Sequence, residues 1–333
     1  MVMAQCLFAA LREQAPSTPI DVAAPAWTRA LTGRMAEVDA GIDLPFQHGQ
    51  AALAARWRMG RGLRGRHDRA IVLSNAWKHA LMPWAAGIAK RTGYWGEARW
   101  PLLNDGRRLD RRRLPRTVDR FLALAHPDGA YDPAIAPDPV ARLRADPQGV
   151  ETALAGLDLL RPVRLLALCP GAEYGPAKRW PATHFADLAR HYAARGWSVW
   201  LFGSDRDKPI STGIADHIAA HGGIDGDGEV IDLTGRTTLA QAIDLLSLAT
   251  VTVSNDSGLM HVAAALGRPV VALYGSSDPG HTPPLSAHAT VLRLGMECSP
   301  CFKRDCPLGH TRCLVDLAPA QVIAAVAAAA LED

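Results

Sequence analysis

The second half of this 333-residue chain alternates short apolar runs with segments of helical periodicity, and this alternation limits the fold more than any other feature. The predicted strands are 163–169, 198–203, 230–233, 250–254 and 269–274, and the predicted helices between them are 182–195, 210–220, 239–248 and 258–266. Strands that alternate with helices of about ten residues form parallel sheets, because each helix returns the chain to the same edge. The sequence therefore predicts an α/β fold with a doubly wound parallel sheet.

The first half shows the same alternation in a weaker form. Strands are predicted at 19–24 and 70–74, and helices at 50–61 and 115–125. A chain of this length exceeds what one core supports, and the proline-rich stretch 128–147 is typical of a linker. We therefore expect two domains, 1–147 and 148–333. The Gly- and Trp-rich connection 91–105 is too irregular for a regular element and is a candidate functional loop.

A polar turn, Asn255-Asp256-Ser257-Gly258, separates the predicted strand 250–254 from an apolar helix. The free amide groups and the positive dipole end of such a helix favour phosphate binding. Gly258 lets a ligand approach the backbone, and Asp256 can accept hydrogen bonds from sugar hydroxyls. The alternative is an ordinary turn in which Ser257 or Asp256 caps the helix.

A second loop of this kind, 170–181, follows the predicted strand 163–169. It contains Gly171, an aromatic side chain and the adjacent cations Lys178 and Arg179. Open α/β sheets bind ligands at the carboxyl ends of their strands. This placement favours a binding role for the two cations over a solvated surface pair.

Positive charge is concentrated in residues 51–120, which hold 17 Lys or Arg and 5 Asp or Glu, although the whole chain carries only +3. The densest clusters are Arg56, Arg58, Arg61, Arg64, Arg66 and Arg69, followed by Arg107, Arg108, Arg111, Arg112, Arg113 and Arg116. Nucleic acid is not expected as a partner, since no aromatic stacking array or reading motif accompanies them. Two interpretations remain open: a solvated basic surface, or a surface that binds an acidic substrate or membrane.

Four cysteines fall within 16 residues near the end of the chain, in the pattern C-x2-C-x4-C-x6-C. Cys298, Cys301, Cys306 and Cys313 are candidate ligands of a structural zinc ion. The second pair lacks the tight spacing of common zinc sites, so reduced thiols in a loop are the favoured interpretation, and the cluster is expected to lie outside the ligand-binding loops.

No apolar stretch reaches the length of a membrane span, and no secretory signal pattern is present. Six cysteines without such a signal indicate a reducing compartment. The Ala-rich stretch 322–331 predicts a terminal helix.

The loop 170–181, taken together with Ser254-Asn255-Asp256-Ser257-Gly258-Leu259-Met260-His261, resembles the matching loops of glycosyltransferase family 9, the bacterial heptosyltransferases. The segments 91–105 and 282–286 look more like the second lipopolysaccharide heptosyltransferase subfamily than the first. The resemblance runs over nearly the whole chain. It implies a GT-B fold, in which two Rossmann-like domains face a cleft.

The resemblance also implies a reaction. Heptose would move from ADP-heptose, with inversion at the anomeric carbon, to the first heptose of the inner core on Kdo2-lipid A. No cofactor would be needed for catalysis. The protein would be cytoplasmic and peripheral at the inner face of the inner membrane, where its lipid-linked acceptor lies.

Site residues follow from the resemblance by position. Lys178 would neutralise the diphosphate, the amides of Ser257 and Gly258 would cradle it, and Asp256 would hold the heptose hydroxyls. His261 would line the same site, with Gly171 in the facing loop. Thr234, in the turn 234–237, would contact the nucleoside, unless that segment is a simple turn capped by Thr237. Arg91, Arg99 and Lys78 are the candidate acceptor-binding residues.

The beginning of the chain departs from the family pattern. Members open with a strand and a loop that carries the acidic residue proposed as catalytic base. Here apolar residues recur at helical spacing from the start, at Val2, Met3, Cys6, Leu7, Ala10 and Leu11. We therefore expect the first domain to lack its N-terminal strand, through a start assigned too late or a damaged copy, and the base to have no counterpart.

Two other classes of function remain possible on the sequence alone. One is a sugar-nucleotide epimerase of the GT-B type, which would process its nucleotide sugar without an acceptor. The other is a non-catalytic protein that binds ADP-heptose. Within the family, the first subfamily or another family 9 transferase is the alternative.

Overall fold

The computed structural model describes residues 1–46 and 50–331. The chain divides into two compact units. Unit 1 comprises Met1–Val2, Ala30–Ala36 and the chain from Val140 onward, and unit 2 comprises Met3–Arg29 and Glu37–Pro139.

Unit 2 contains short strands and helices in alternation. In chain order they are α1 (Gln5–Gln14), β1 (Asp21–Pro25), β2 (Ala40–Leu44), α3 (Leu53–Gly62), β3 (Arg69–Val72), α4 (Trp77–Ala85), β4 (Lys90–Tyr94), β5 (Asp105–Arg107) and α5 (Thr117–Leu122), while α2 (Arg29–Thr32) lies where the chain passes into unit 1. All strand pairs are parallel, but they form two separate ladders, β1-β2 and β3-β4-β5. Within the described residues no strand pairing joins the two ladders. The absence of an N-terminal strand from this domain stays a prediction.

Sequence reasoning was incomplete in unit 2. The helical start is confirmed, because α1 buries Cys6, Leu7 and Phe8. The segment 91–105 was predicted to be wholly irregular, and this is wrong at both ends: β4 and β5 pair in parallel through Thr92 and Asp105. These strands are short and carry charges, so apolar periodicity gives no signal for them.

Unit 1 is built on one six-stranded parallel sheet. Its elements are α6 (Pro147–Leu157), β6 (Leu165–Cys169), α7 (Ala182–Ala193), β7 (Ser198–Leu201), α8 (Lys208–Ala220), β8 (Glu229–Asp232), α9 (Leu239–Leu246), β9 (Val251–Asn255), α10 (Gly258–Ala265), β10 (Val270–Leu273), β11 (Ala289–Leu292), α11 (Arg312–Val315) and α12 (Pro319–Ala329). The strand order is β11-β10-β9-β6-β7-β8. The predicted doubly wound parallel sheet is confirmed here.

The centre of this sheet explains why sequence reasoning succeeded in unit 1. Every residue of β6, β9 and β10 is buried, as expected for strands covered by helices on both faces. The chain runs from β6 outward to β8, then crosses back to β9 and runs outward to β11. The winding direction therefore reverses between β6 and β9, which is the switch point where doubly wound folds bind ligands.

Candidate functional site

The two predicted loops meet at this switch point, and Asn255 joins them. Asn255 is fully buried at the end of β9. Its Oδ1 accepts a hydrogen bond from the backbone N–H of Trp180 at 3.0 Å, and its Nδ2 donates to the carbonyl oxygen of Pro170 at 2.7 Å. One side chain thus fixes both ends of the loop 170–181 against β9. Sequence reasoning assigned Asn255 no role, although a carboxamide ending a buried strand needs such partners.

Lys178 and Asp256 form an ion pair across the switch point. The Lys178 Nζ lies 2.5 Å from Asp256 Oδ2, with side-chain exposures of 17% and 5%. The ring of Tyr174 lies 5.2 Å from the same ammonium group, within cation–π range. The pairing holds a cation in a mostly buried position without an uncompensated charge.

The N-terminus of α10 opens beside this ion pair. Ser257 is its N-cap residue and makes no side-chain capping bond. A Cβ added to Gly258 would meet open space. The first amide groups of α10 therefore remain available for an anion, and the helix dipole adds to their effect.

His261 lies one turn further along α10 and is partly buried. Burial lowers the pKa of His261 to about 4, and the nearby Asp256 only partly opposes this. The imidazole is therefore neutral at physiological pH. A neutral ring can accept as well as donate a hydrogen bond.

Gly171 and Thr234 border the same strand ends. A Cβ at Gly171 would lie 2.5 Å from Cγ of Asp207, so a larger residue there would require the Asp207 side chain to shift. The Thr234 hydroxyl is buried without a hydrogen-bond partner in the described part of the chain, and so are the hydroxyls of Ser276 and Ser277 after β10. Buried hydroxyls of this kind need a partner. Sequence reasoning missed both serines, whose signal was two adjacent small polar residues shortly after an apolar strand. Thr238, not Thr237, caps the following helix.

The cysteine-containing segment lies outside the loop 170–181, as expected, but contacts it directly. The Tyr174 hydroxyl donates to the carbonyl of Phe302 at 2.7 Å, and the Ala177 N–H donates to that of Arg304 at 3.1 Å. All six cysteines are free thiols. Cys298, Cys301, Cys306 and Cys313 line one cavity of about 20 Å³. In the ranges 1–46 and 50–331, however, no group of three or more His, Cys, Asp or Glu side chains is arranged to hold a metal ion.

The candidate acceptor residues lie in unit 2. Arg99 is fully buried, and its guanidinium group donates to the carbonyl oxygens of Ser74 and Tyr94. Arg91 donates to the carbonyls of Leu102 and Ile88. Lys78 lies in the first turn of α4 and is partly exposed. The guanidinium groups of Arg91 and Arg99 therefore hold the backbone around 91–105 in place.

The arginines of the basic half divide into two groups. Several are tied into unit 2 by backbone carbonyls, carboxylates or an aromatic ring: Arg56, Arg69, Arg107, Arg113 and Arg116. Others are exposed and form no ion pair within the described residues: Arg58, Arg61, Arg64, Arg66, Arg108, Arg111 and Arg112. The second group forms the solvent-facing basic surface. Of the described helices, none has the length and apolar character needed to cross a bilayer.

The fold and this site define an α/β protein with a doubly wound parallel sheet whose switch point carries a lysine–aspartate pair beside a helix N-terminus. The chain belongs to glycosyltransferase family 9 (heptosyltransferase), because residues 56–312 match the sequence model of that family. It is 43% identical to Lipopolysaccharide heptosyltransferase 2 of Salmonella typhimurium, over 97% of this chain and 93% of that protein. The Escherichia coli protein of the same name is 41% identical, with coverages of 100% and 96%.

A solved structure agrees with these relatives. The structure of E. coli ADP-heptose lps heptosyltransferase II matches with a TM-score of 0.87 and 39% identity, covering 100% of this chain and 95% of that one. The GT-B fold class and the resemblance to the second subfamily are thereby confirmed.

Proposed function

We propose that this protein is an inverting heptosyltransferase that moves L-glycero-D-manno-heptose from ADP-heptose to the first heptose of the inner core on Kdo2-lipid A. The full-length similarity to proteins named Lipopolysaccharide heptosyltransferase 2 supports this activity. In this proposal unit 1 binds the donor and unit 2 binds the acceptor, the roles expected for domains 148–333 and 1–147. The acceptor is lipid-linked, so the enzyme works as a peripheral protein at the cytoplasmic face of the inner membrane.

The observation that carries the proposal is the Lys178–Asp256 pair at the N-terminus of α10. When the glycosidic bond to ADP breaks, negative charge grows on the diphosphate. The Lys178 ammonium and the amides of Ser257 and Gly258 supply positive charge for that group, and charge stabilisation of this kind is often the largest catalytic contribution. Asp256 then accepts hydrogen bonds from heptose hydroxyls as the ammonium turns to phosphate.

The remaining site residues have supporting roles in this proposal. Gly171 keeps the loop close to Asp207, and His261 lines the sugar side of the site as a neutral ring. The unpartnered hydroxyl of Thr234 contacts the nucleoside. No residue is assigned as catalytic base in this proposal.

The proposal is tested by incubating the protein with ADP-heptose, with and without heptosyl-Kdo2-lipid A. A transferase releases ADP at an appreciable rate only when the acceptor is present, and the acceptor gains one heptose in its mass spectrum. Conversion of the nucleotide sugar to an isomer without acceptor would indicate an epimerase instead. ADP binding without either reaction would leave only a binding protein.

A further inference from the structure

A second concave surface lies in unit 2, in the connection between β4 and β5. Its cavity of about 360 Å³ is lined by the run from Trp95 to Trp100 and by Arg108. This volume is at the lower end of the range for small-molecule pockets. Two tryptophans border it with 41% and 69% of their surface exposed, for Trp95 and Trp100 respectively. Large apolar rings exposed at a cavity commonly mark a binding surface.

Arg99 makes the floor of this cavity rigid. It is fully buried, and besides the carbonyls of Ser74 and Tyr94 it donates to Asn75 Oδ1 at 3.2 Å. Two other chain segments, at 74–75 and at Tyr94, are therefore tied to one guanidinium group. A loop ordered before its ligand arrives loses less entropy on binding.

The backbone next to Arg99, at Glu97 and Ala98, is strained, and the hydrogen bonds of Arg99 support it. Glu97 and Ala98 are consecutive non-glycine residues with φ of 45° and 53°. Each left-handed residue costs on the order of 1 kcal/mol or more, and such strain concentrates at ligand sites. The Glu97 carboxylate also accepts a hydrogen bond from the N–H of Trp77 at 3.1 Å, so that the strained turn is anchored to the start of α4.

Trp95 is held by the strand beside it. Its backbone N–H donates to the carbonyl of Arg107 at 2.8 Å, continuing the pairing of β4 with β5. A Cβ at Gly106 would collide with the indole, so the ring lies directly against the backbone there. The ring position is thus determined by the sheet, while part of its surface faces solvent.

The chemistry of the lining defines a ligand class. Indole rings pack on the apolar C–H faces of pyranose sugars, and an exposed guanidinium pairs with a carboxylate or phosphate. Arg108 is exposed and has no carboxylate partner within residues 1–46 and 50–331. We propose that the cavity at Trp95, Trp100 and Arg108 is a subsite for an anionic sugar of the acceptor, an inference that rests on the proposed transferase function.

A bilayer surface fits this site less well. The cavity is concave, and no aliphatic side chain larger than alanine is among its lining residues. Amphipathic membrane contacts lay an apolar face along the headgroup boundary, whereas the two exposed indoles here border a concave cavity. A single sugar ring with an acidic group matches both the shape and the charge.

The test is a binding titration of the whole protein by calorimetry. The probes are the methyl glycoside of Kdo, which carries a carboxylate, mannose 6-phosphate, which carries a phosphate, and neutral methyl mannoside. We expect at least one anionic probe to bind more tightly than the neutral one. The Trp100→Ala variant should bind it about five- to tenfold more weakly, and Arg108→Ala about tenfold more weakly. Which anionic probe is preferred identifies the acidic group.

Matched control variants test whether the loss of probe binding is specific to this cavity. Trp27→Ala removes another tryptophan of unit 2, 67% exposed, and Arg195→Ala removes an exposed arginine of unit 1. Both controls should bind the probe as the unaltered protein does. Arg108→Lys should recover part of the affinity, and ADP binding should be the same in every variant.

Several results would overturn the subsite. They are a failure of the unaltered protein to bind either anionic probe, binding by Trp100→Ala and Arg108→Ala that is as tight as that of the unaltered protein, or displacement of the probe by phosphatidylglycerol vesicles that carry no sugar. The proposed reaction is judged separately by the transfer assay. If the protein transfers heptose but Trp100→Ala and Arg108→Ala bind the probe normally, only the subsite proposal is refuted. If the protein binds the anionic sugar specifically but transfers no heptose, only the proposed reaction is refuted.

Discussion

At the level of single residues, the ion pair between Lys178 and Asp256 couples two functions that the sequence suggests separately. We expect Lys178→Ala to weaken ADP binding about thirtyfold, because a charge-assisted contact to diphosphate is worth about 2 kcal/mol. Asp256→Asn should leave ADP affinity nearly unchanged while lowering turnover with ADP-heptose. Titration with ADP and steady-state kinetics measure both effects. An equal loss of ADP affinity in the two variants would contradict the division of roles.

His261 makes the stability of unit 1 depend on pH. Its pKa is about 4 in the folded chain and close to 6.5 when unfolded, so the unfolded chain binds more protons between these values. Stability from this residue is complete above pH 7 and falls as the pH drops through that window. Urea unfolding at pH 7 and 5.5 should show a loss of about 1 kcal/mol that His261→Gln lacks. The same loss in the variant would show that another group is responsible.

At the level of elements, Asn255 holds the loop 170–181 on the sheet. Asn255→Ala leaves the N–H of Trp180 and the carbonyl of Pro170 buried without partners, which should cost about 2–4 kcal/mol of unfolding free energy. ADP affinity should fall too, because Lys178 lies in the released loop.

Asn104 provides a matched control for that experiment. It makes the same two kinds of backbone bond, to the Arg91 N–H and the carbonyl of Ala89, but in an exposed position of unit 2. Asn104→Ala should destabilise the protein only slightly and leave ADP binding intact. Similar losses in both asparagine variants would argue against a special role for Asn255.

The helix α3 and the turn after it carry four arginines of the solvent-facing basic surface. Reversing Arg58, Arg61, Arg64 and Arg66 to glutamate should raise the KM for the lipid acceptor several-fold and leave the KM for ADP-heptose unchanged. The effect should shrink in high salt, since exposed charges are screened over about 10 Å at 0.1 M ionic strength. Normal acceptor kinetics at low salt would mean that these arginines are merely solvated.

At the scale of the whole molecule, the two units differ in how their sheets are built. Unit 1 has one six-stranded sheet, whereas the strands of unit 2 form ladders of two and three with unpaired edges in the described residues. Short ladders have little independent stability. Calorimetry should therefore show two transitions, with unit 2 unfolding first.

ADP should separate these transitions further. It binds unit 1 in our proposal, so it should raise the upper transition and leave the lower one in place. A single transition that moves as a whole with ADP would show that the units unfold together.

The sequence by itself determined five of the six strands of unit 1, without β11, and the position of the candidate site. Strands buried on both faces leave long apolar runs, and the two polar loops that interrupt them mark the strand ends where ligands bind. Lys178, Asp256 and Gly258 could be chosen on that basis. Tertiary structure alone decided the rest, because it depends on partners distant in the chain: the bond from Lys178 to Asp256, the two backbone contacts of Asn255, the packing of the cysteine segment on Tyr174, and the burial of Arg99. From the sequence alone, an arginine is expected to be a surface charge. Only the folded chain shows that Arg99 lies under the Trp95–Trp100 cavity, with backbone carbonyls as its partners.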